Sequence, residues 1–442
     1  MASILLKVWT GHLTTALMHV AEHYGILSQA QEGFRKYHST SRQLRNVVSA
    51  IEDAHLFGQN IYSVYVDFSA TFNMVDHQRL QEILKMLGIP QQARTCIANL
   101  YNNASTTIIT PFGHTEAINI SRGTLQGDTL SPLLFLLYIE PLLRHLHVGG
   151  RGYRFGALTT QENDEMHLAG AAYADDLTAM TRNVEDMQIQ CNKITEYCKW
   201  ARLQVNANKC AVTAGLFQLW KQEQSGNWDK DVRVFHQLSG KIKLLGTPLP
   251  ALLAGETYTY LGMPLCMTLD WTAAFHHIKQ KMDNRISQIF NYAKLHKGYM
   301  LQMVDEAIKK LPIYAFAVTP FNHSQLHQVE SICARATRRA ANLPRYQPTW
   351  SVTEGKEYGC LGIGSLYSHM VQTAGRNLID ALNDTGRLGL VTRKLTEAQI
   401  TTLAGHPCAM ANTGWDDQAR YAMTVRQLTL LQQAQVDVKI KG

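Results

Sequence analysis

Three carboxylates define the chemistry open to this chain. Asp175 and Asp176 stand side by side between two short apolar runs, in MHLAGAAYADDLTAM, and Asp67 closes a third run, IYSVYVD. Adjacent acids repel, and a folded core keeps them together only where water or a cation offsets the charge. A bare Asp-Asp pair is most often a solvated turn. The tetrapeptide Tyr173-Ala174-Asp175-Asp176 is rarer: a chain of this length holds it by chance roughly once in a few hundred cases. A strand-end acid such as Asp67 is either a cap for the next turn or a metal ligand. A palm of β-α-α-β-α type would bring it beside the hairpin acids, and three converging carboxylates call for divalent cations. Hard oxygen donors favour Mg²⁺, with Mn²⁺ as a substitute. Two such ions, about 3.5–4 Å apart, would polarise an attacking hydroxyl and stabilise leaving pyrophosphate. The chemistry in prospect is phosphoryl transfer.

The elements that must position these acids follow from periodicity. Residues 61–66 are β-branched, aromatic or small and predict a buried strand, and the two runs around Asp175 predict a tight hairpin with the acids at its tip. Helices are predicted over 4–24, from Ser39 or Thr40 to about Phe57, over 78–88, and after Pro90 with Cys96, Ile97, Leu100 and Tyr101 on one face. Residues 106–120 predict a second hairpin. Gly123, Gln126 and Gly127 form a loop leading into a long apolar helix with Ser131 and Pro132 in its first turn, where proline is tolerated. A helix is predicted over 184–201, a turn with Lys209 before a strand, a polar connector over 220–256 with β character around 231–245, and a strand pair over 256–265. Beyond Trp271 the texture is helical. Arg335, Arg338 and Arg339 share one face of a helix within 322–343. Arg35, Lys36 and Arg42 mark a basic turn in QEGFRKYHSTSRQL, more commonly an exposed loop than a site.

The 442 residues exceed one ordinary core, so two or three subdomains are expected. A net charge of +7 permits a polyanionic partner without requiring one. The eight cysteines form no CxxC pair and no zinc spacing, a pattern that fits a reducing compartment. The first residues lack the core of a signal peptide, and no window is apolar enough for a membrane span. The expected location is intracellular, nucleus or cytoplasm, with no clear targeting signal.

The set VDFSATFNMVDH, RGTLQGDTLSPLLF, AYADD, LQVNANK and YTYLGMPL, in that order, resembles the reverse transcriptase of non-long-terminal-repeat (LINE-type) retrotransposons, and QEGFRKYHSTSRQL is similar to the segment those enzymes carry before the first catalytic acid. The resemblance covers roughly residues 4–345, and the tail to 442 is similar to what often follows. It implies an α+β fold: a right-hand polymerase palm and fingers, a mostly helical thumb and a helical C-terminal region. It divides the chain into partial fingers over 1–60, palm over 61–255, primer-grip strands and thumb over 256–345, and a helical region over 346–442. It implies an RNA-directed DNA polymerase acting on an RNA template, a DNA primer and deoxynucleoside triphosphates.

Residue by residue, the resemblance makes Asp67 and Asp175 the principal metal ligands and Asp176 the third acid. Phe72 matches the aromatic that blocks a ribose 2′-hydroxyl, with Phe68 and Thr71 as further nucleotide contacts. Gln126 and Gly127 match the loop under the incoming nucleotide and template. Lys209 matches a proton donor to pyrophosphate, and Arg35 a fingers residue near the triphosphate or template. Tyr260, Leu261 and Gly262 resemble the primer grip. Thr71 stands where the family usually has Ala, and its hydroxyl is expected to tighten the sugar pocket. The family places another fingers segment ahead of the first helix, so the chain reads as a fragment truncated at its N-terminus, with Lys7 the last remnant of that segment and no endonuclease constellation. Two other readings stay open: a remnant that only binds nucleic acid, and a palm-fold nucleotidyl cyclase or structural protein with a coincidental YADD.

Overall fold

The structure is a computed structural model and describes residues 4–102, 104–223, 228–292, 296–319, 321–354, 358, 360–362, 364–404 and 423–436. Cys408 and part of the predicted connector, residues 224–227, lie outside the described residues. The chain forms two compact units, one of Met1–Gln43 with Gly58–Leu253, the other of Leu44–Phe57 with Ala254–Gly442.

In chain order the first unit contains α1 (Ile4–His23), the start of α2 (Thr40–Phe57), β1 (Asn60–Val66), α3 (His77–Met86) and α4 (Gln91–Tyr101). The short ladder strands β2 (Ser105–Thr106), β3 (Ile109–Thr110), β4 (Gly113–His114) and β5 (Ile118–Asn119) make the second hairpin. Then come α5 (Leu130–His147), α6 (Thr160–Met166), β6 (Gly170–Tyr173), β7 (Asp176–Thr181), α7 (Val184–Ala201), β8 (Ala211–Leu216), α8 (Phe217–Glu223), α9 (Val232–Leu238), β9 (Lys243–Leu244) and β10 (Thr247–Pro248).

Its centre is a four-stranded antiparallel sheet in the order β6-β7-β1-β8. The sequence explains why β1 lies inside: Ile61, Tyr62, Val64, Tyr65 and Val66 are all buried, as suits a strand with neighbours on both edges. The apolar α5 and the amphipathic α7 pack together and against the sheet. Met187, Ile194, Tyr197 and Cys198 form the buried side of α7, as their spacing predicts.

One expectation fails. The connector carries a helix, α9, where β character was predicted, and only the two-residue pair β9/β10 is extended. Val232, Val234 and Phe235 mimic a strand, but Asp231 caps the helix by accepting from the Arg233 amide, and its other oxygen takes the Trp220 indole N–H at 2.6 Å.

The second unit contains α2 from Leu44 onward, β11 (Tyr258–Tyr260), β12 (Met263–Leu265), α10 (Thr272–Tyr292), α11 (Lys297–Val304), α12 (Lys310–Phe316), α13 (His323–Ala341), α14 (Trp350–Thr353), α15 (Leu366–Leu382), α16 (Arg387–Ala404) and α17 (Met423–Gln433). Between α11 and α12 runs a π-helical turn, Asp305–Lys309. A buried polar clasp joins α2 to α17: Arg45 donates to Thr424 and Gln427, and Glu52 accepts from the Met423 amide and Gln399. On α13, Arg338 donates to Thr349 Oγ1 at 3.0 Å and Arg339 lies over the Phe290 ring at 4.4 Å, so two of the three arginines already have intramolecular contacts.

Candidate active site

Strand register brings the acids together. Val66 of β1 pairs with Leu177 of β7, so Asp67, the next residue, follows the same edge toward Asp176. β6 and β7 are joined by a two-residue turn, Ala174-Asp175, with Tyr173 paired to Asp176. Ala174 has φ 55°, a left-handed value that an L-residue adopts only when its surroundings hold it there. Asp175 and Asp67 are half-buried and Asp176 is an exposed residue. Desolvation of its carboxyl by the surrounding strands, followed by the charges of Asp175 and Asp67, pushes Asp176 up to about 6.

Asp67 is fixed from its other side. Its amide donates to Cys210 Sγ at 3.3 Å and its carbonyl accepts from the Asn206 amide at 2.8 Å. The Cys210 thiol, raised above its ordinary range by burial, donates to the Asn206 carbonyl at 3.3 Å. Lys209 sits in the same exposed turn, one residue before Cys210. Cys210 carries no local signal in the sequence, where it is a lone cysteine before a strand.

After Asp67 the chain runs through buried Phe68, then Ala70 at φ 47°, into a single 3-10 turn, Thr71–Asn73. This turn directs Thr71 at the hairpin, and its hydroxyl donates to Asp175 Oδ2 at 2.7 Å. The hydroxyl expected to narrow a sugar pocket is engaged by an acid instead. Phe72 projects half-buried between Phe135 of α5, with ring centroids 5.0 Å apart, and Phe34, at 6.3 Å.

The loop carrying Gln126 and Gly127 is seated on that same turn. The amides of Gly123 and Thr124 donate to the carbonyls of Val75 and Phe72, both at 2.8 Å. Gly123 has φ 89°, and a Cβ there would lie 2.9 Å from Asn73 Cα, so glycine is required. Ser131 Oγ holds the Leu125 carbonyl at 2.8 Å, and Asp128 Oδ1 accepts from Thr10 Oγ1 at 2.5 Å. Gln126 and Gly127 are left exposed at the loop's crest.

Arg35 is not free to meet a ligand in this structure. Its guanidinium grips both oxygens of Glu22, at 2.8 and 2.7 Å, and the carbonyls of Ser28 and Gln31, at 2.7 and 2.8 Å. Arg42 is paired with buried Glu32. The basic turn is therefore a clamp on its own loop.

Tyr260, Leu261 and Gly262 lie in the second unit. Leu261 and Gly262, at φ 48° and 76°, form the two-residue turn between β11 and β12, and the Leu261 carbonyl accepts from Tyr314 Oη at 2.6 Å. Tyr260 is buried.

The donor set suits a hard divalent cation. Three carboxylates interact at the hairpin tip, and no ion pair involves them among the described residues. No group of three or more acidic, His or Cys side chains closes into a metal cage among the described residues. An open arrangement is what Mg²⁺ ordinarily uses: one or two protein carboxylates, with water and substrate phosphates completing the shell.

The fold is thus an α+β one, with an antiparallel sheet that carries acids at one end and a loop seated beside them. Residues 3–265 match the family described as reverse transcriptase (RNA-dependent DNA polymerase), and the chain belongs to that family. It is 26% identical over 238 residues to a retrovirus-related Pol polyprotein from the type-2 retrotransposable element R2DM of Drosophila melanogaster, covering 54% of this chain and 21% of that protein. It is 24% identical to the Pol polyprotein of a type-1 element R2 from Nasonia vitripennis, covering 48% and 20%. It is 22% identical to the RNA-directed DNA polymerase from mobile element jockey of Drosophila melanogaster, covering 75% and 34%. The chain thus spans a fifth to a third of these relatives. A telomerase structure from Candida tropicalis, in complex with a TWJ fragment of telomeric RNA, aligns with 88% of this chain and 56% of its own at 13% identity and a TM-score of 0.41. Among the described residues no helix is long and apolar enough to cross a membrane.

Proposed function

We propose that this chain is an RNA-directed DNA polymerase that extends a DNA primer on an RNA template. The observation that carries the reading is the meeting of Asp67 with the Asp175-Asp176 turn on one sheet, in a chain that matches the reverse transcriptase family across that region. The primer 3′-hydroxyl attacks the α-phosphorus of a deoxynucleoside triphosphate, and the bond to pyrophosphate breaks as the new one forms. Asp67 and Asp175 would hold the divalent ions, Mg²⁺ or Mn²⁺, with Asp176 in support. Such ions, when bound, polarise the hydroxyl and neutralise the pyrophosphate.

The chain's own residues supply position. Thr71 orients Asp175 through its hydroxyl. Phe72 blocks a 2′-hydroxyl and so selects deoxynucleotides. Gln126 and Gly127 present an exposed loop crest to the nucleotide and template, and Lys209 gives a proton to pyrophosphate. Tyr260, Leu261 and Gly262 supply a rigid turn for the primer end. Arg35, a fingers residue near the triphosphate or template, shapes its own loop through Glu22 and the Ser28 and Gln31 carbonyls.

Primer extension on an RNA template with deoxynucleotides and Mg²⁺ tests the reading. Extension by this chain, abolished in Asp67→Asn, supports it. A folded chain that binds RNA in a salt-dependent way, extends nothing, and binds equally as Asp175→Ala is the remnant reading instead.

A further inference from the structure

The turn that presents Asp175 and Asp176 does not hold its own shape. Ala174 sits at φ 55°, where a Cβ is unfavourable. What fixes it comes from far along the chain. Gln31 is fully buried, at 0% exposure, and its side-chain amide embraces the Ala174 backbone from both sides. Oε1 accepts from the Ala174 amide at 2.8 Å, and Nε2 donates to the Ala174 carbonyl at 3.2 Å. The same Oε1 accepts from the Gly33 amide at 2.8 Å, which locks the Gln31 rotamer.

The segment around Gln31 is built to deliver this contact. The Ala172 amide donates to the Ala30 carbonyl at 2.7 Å, and the Glu32 amide donates to the Ala172 carbonyl at 2.8 Å, so residues 30–32 lie along the outer edge of β6. Gly33 follows with no side chain because a Cβ would stand 2.4 Å from the Ala174 nitrogen. Arg35 then ties back the carbonyls of Ser28 and Gln31, and Glu32, itself buried, binds His38 at 2.6 Å and Arg42 at 2.8 Å. The basic turn therefore acts as a frame for one glutamine.

We propose that Gln31 is a positioning residue for the acid site: it sets the Ala174 turn that carries Asp175 and Asp176 beside the end of β1, where Asp67 lies. Thr71 braces the Asp175 carboxylate from the side of β1, and Gln31 braces the backbone that carries it from the side of β6. A buried amide that makes two bonds to one strained residue transmits any displacement to the next residue, and that residue is Asp175. The inference rests on the polymerase reading for its functional meaning, but its geometry does not.

The test uses three variants of the full chain. Gln31→Met keeps length and removes every bond to Ala174 and Gly33. Gln31→Glu keeps an acceptor for both amides. Gly33→Ala pushes the segment off the turn while leaving Gln31 in place. Amide hydrogen exchange at residues 173–176, Mn²⁺ affinity from electron paramagnetic resonance, and primer extension are read together with a melting curve. In Gln31→Met the Ala174 amide loses protection, and Mn²⁺ affinity falls about 10–100-fold, the range for groups that orient metal ligands. The fall in kcat tracks the fall in Mn²⁺ affinity, while KM for the deoxynucleotide stays level. Gln31→Glu keeps an acceptor for the Ala174 amide but sets its second oxygen against the Ala174 carbonyl, so its protection and affinity fall between those of the wild type and Gln31→Met. Gly33→Ala behaves as Gln31→Met, and carries the test if that variant does not fold. A folded Gln31→Met or Gly33→Ala with wild-type Mn²⁺ affinity overturns the proposal, as does a wild-type chain that binds no Mn²⁺. If Mn²⁺ binding by the wild type is weakened in Gln31→Met but the wild type extends no primer, the positioning role stands and the polymerase reading fails.

Discussion

Glu52 and the acids of the Asp175 turn are treated in opposite ways. In the second unit Glu52 is 3% exposed, yet every feature around it answers its charge: the Arg45 guanidinium, the Met423 amide and the Gln399 amide. At the hairpin tip the charges of Asp175 and Asp67 both act on Asp176, and the Thr71 hydroxyl donates to Asp175. Burial pushes Glu52 up to about 7, while desolvation and then like charge push Asp176 up to about 6. The first arrangement closes a fold. The second leaves a deficit of positive charge that a divalent ion and substrate would fill.

The comparison breaks most readily under substitution. Asp175→Asn relieves repulsion, so its melting temperature equals or exceeds that of the wild type at pH 7.5, while primer extension falls by at least about 10³-fold. A matching loss of stability would put Asp175 in the same class as Glu52. Glu52→Leu reverses the pattern. It strands the Met423 amide and removes the charge that favours the buried Arg45 guanidinium, and chemical denaturation should report a loss of about 2 kcal/mol. Thr71→Val, which removes the one hydroxyl from Asp175, should weaken Mn²⁺ binding about fivefold, the equivalent of about 1 kcal/mol.

The pH dependence sharpens the contrast further. Both groups have folded values above their ordinary ones, so the folded chain holds extra protons and stability falls as pH rises: from about 3.8 to about 6 through Asp176, and from about 4.5 to about 7 through Glu52. Only at the hairpin does a cation reverse the loss. Melting curves with and without Mn²⁺ should coincide at pH 5 and separate as pH rises through about 6, with the shift absent in Asp67→Asn.

Much of this site is legible along the chain. The buried strand before Asp67, the hairpin around Asp175 and the bounds of α7 follow from local periodicity and turn chemistry, which act over a few residues. The supports of the site are not legible in that way. Gln31 and Ala174 are 143 positions apart, and a glutamine in a basic loop looks like surface. Charge along the sequence likewise does not show that Arg35 is bonded to Glu22 and two carbonyls. Thr71 turns to Asp175 because Ala70 is left-handed, which no propensity predicts for alanine. In the same way α2 begins in the first unit, yet from Leu44 it belongs to the second, where Arg45 and Glu52 find their partners on α16 and α17.

Calorimetric titration of Mn²⁺ into the wild-type chain, Asp175→Asn and Glu52→Gln at pH 5 and pH 7.5 tests the central claim most directly. The wild type and Glu52→Gln should bind at pH 7.5 and only weakly at pH 5, and Asp175→Asn should bind at neither pH. Equal binding by all three proteins at pH 7.5 would contradict that claim.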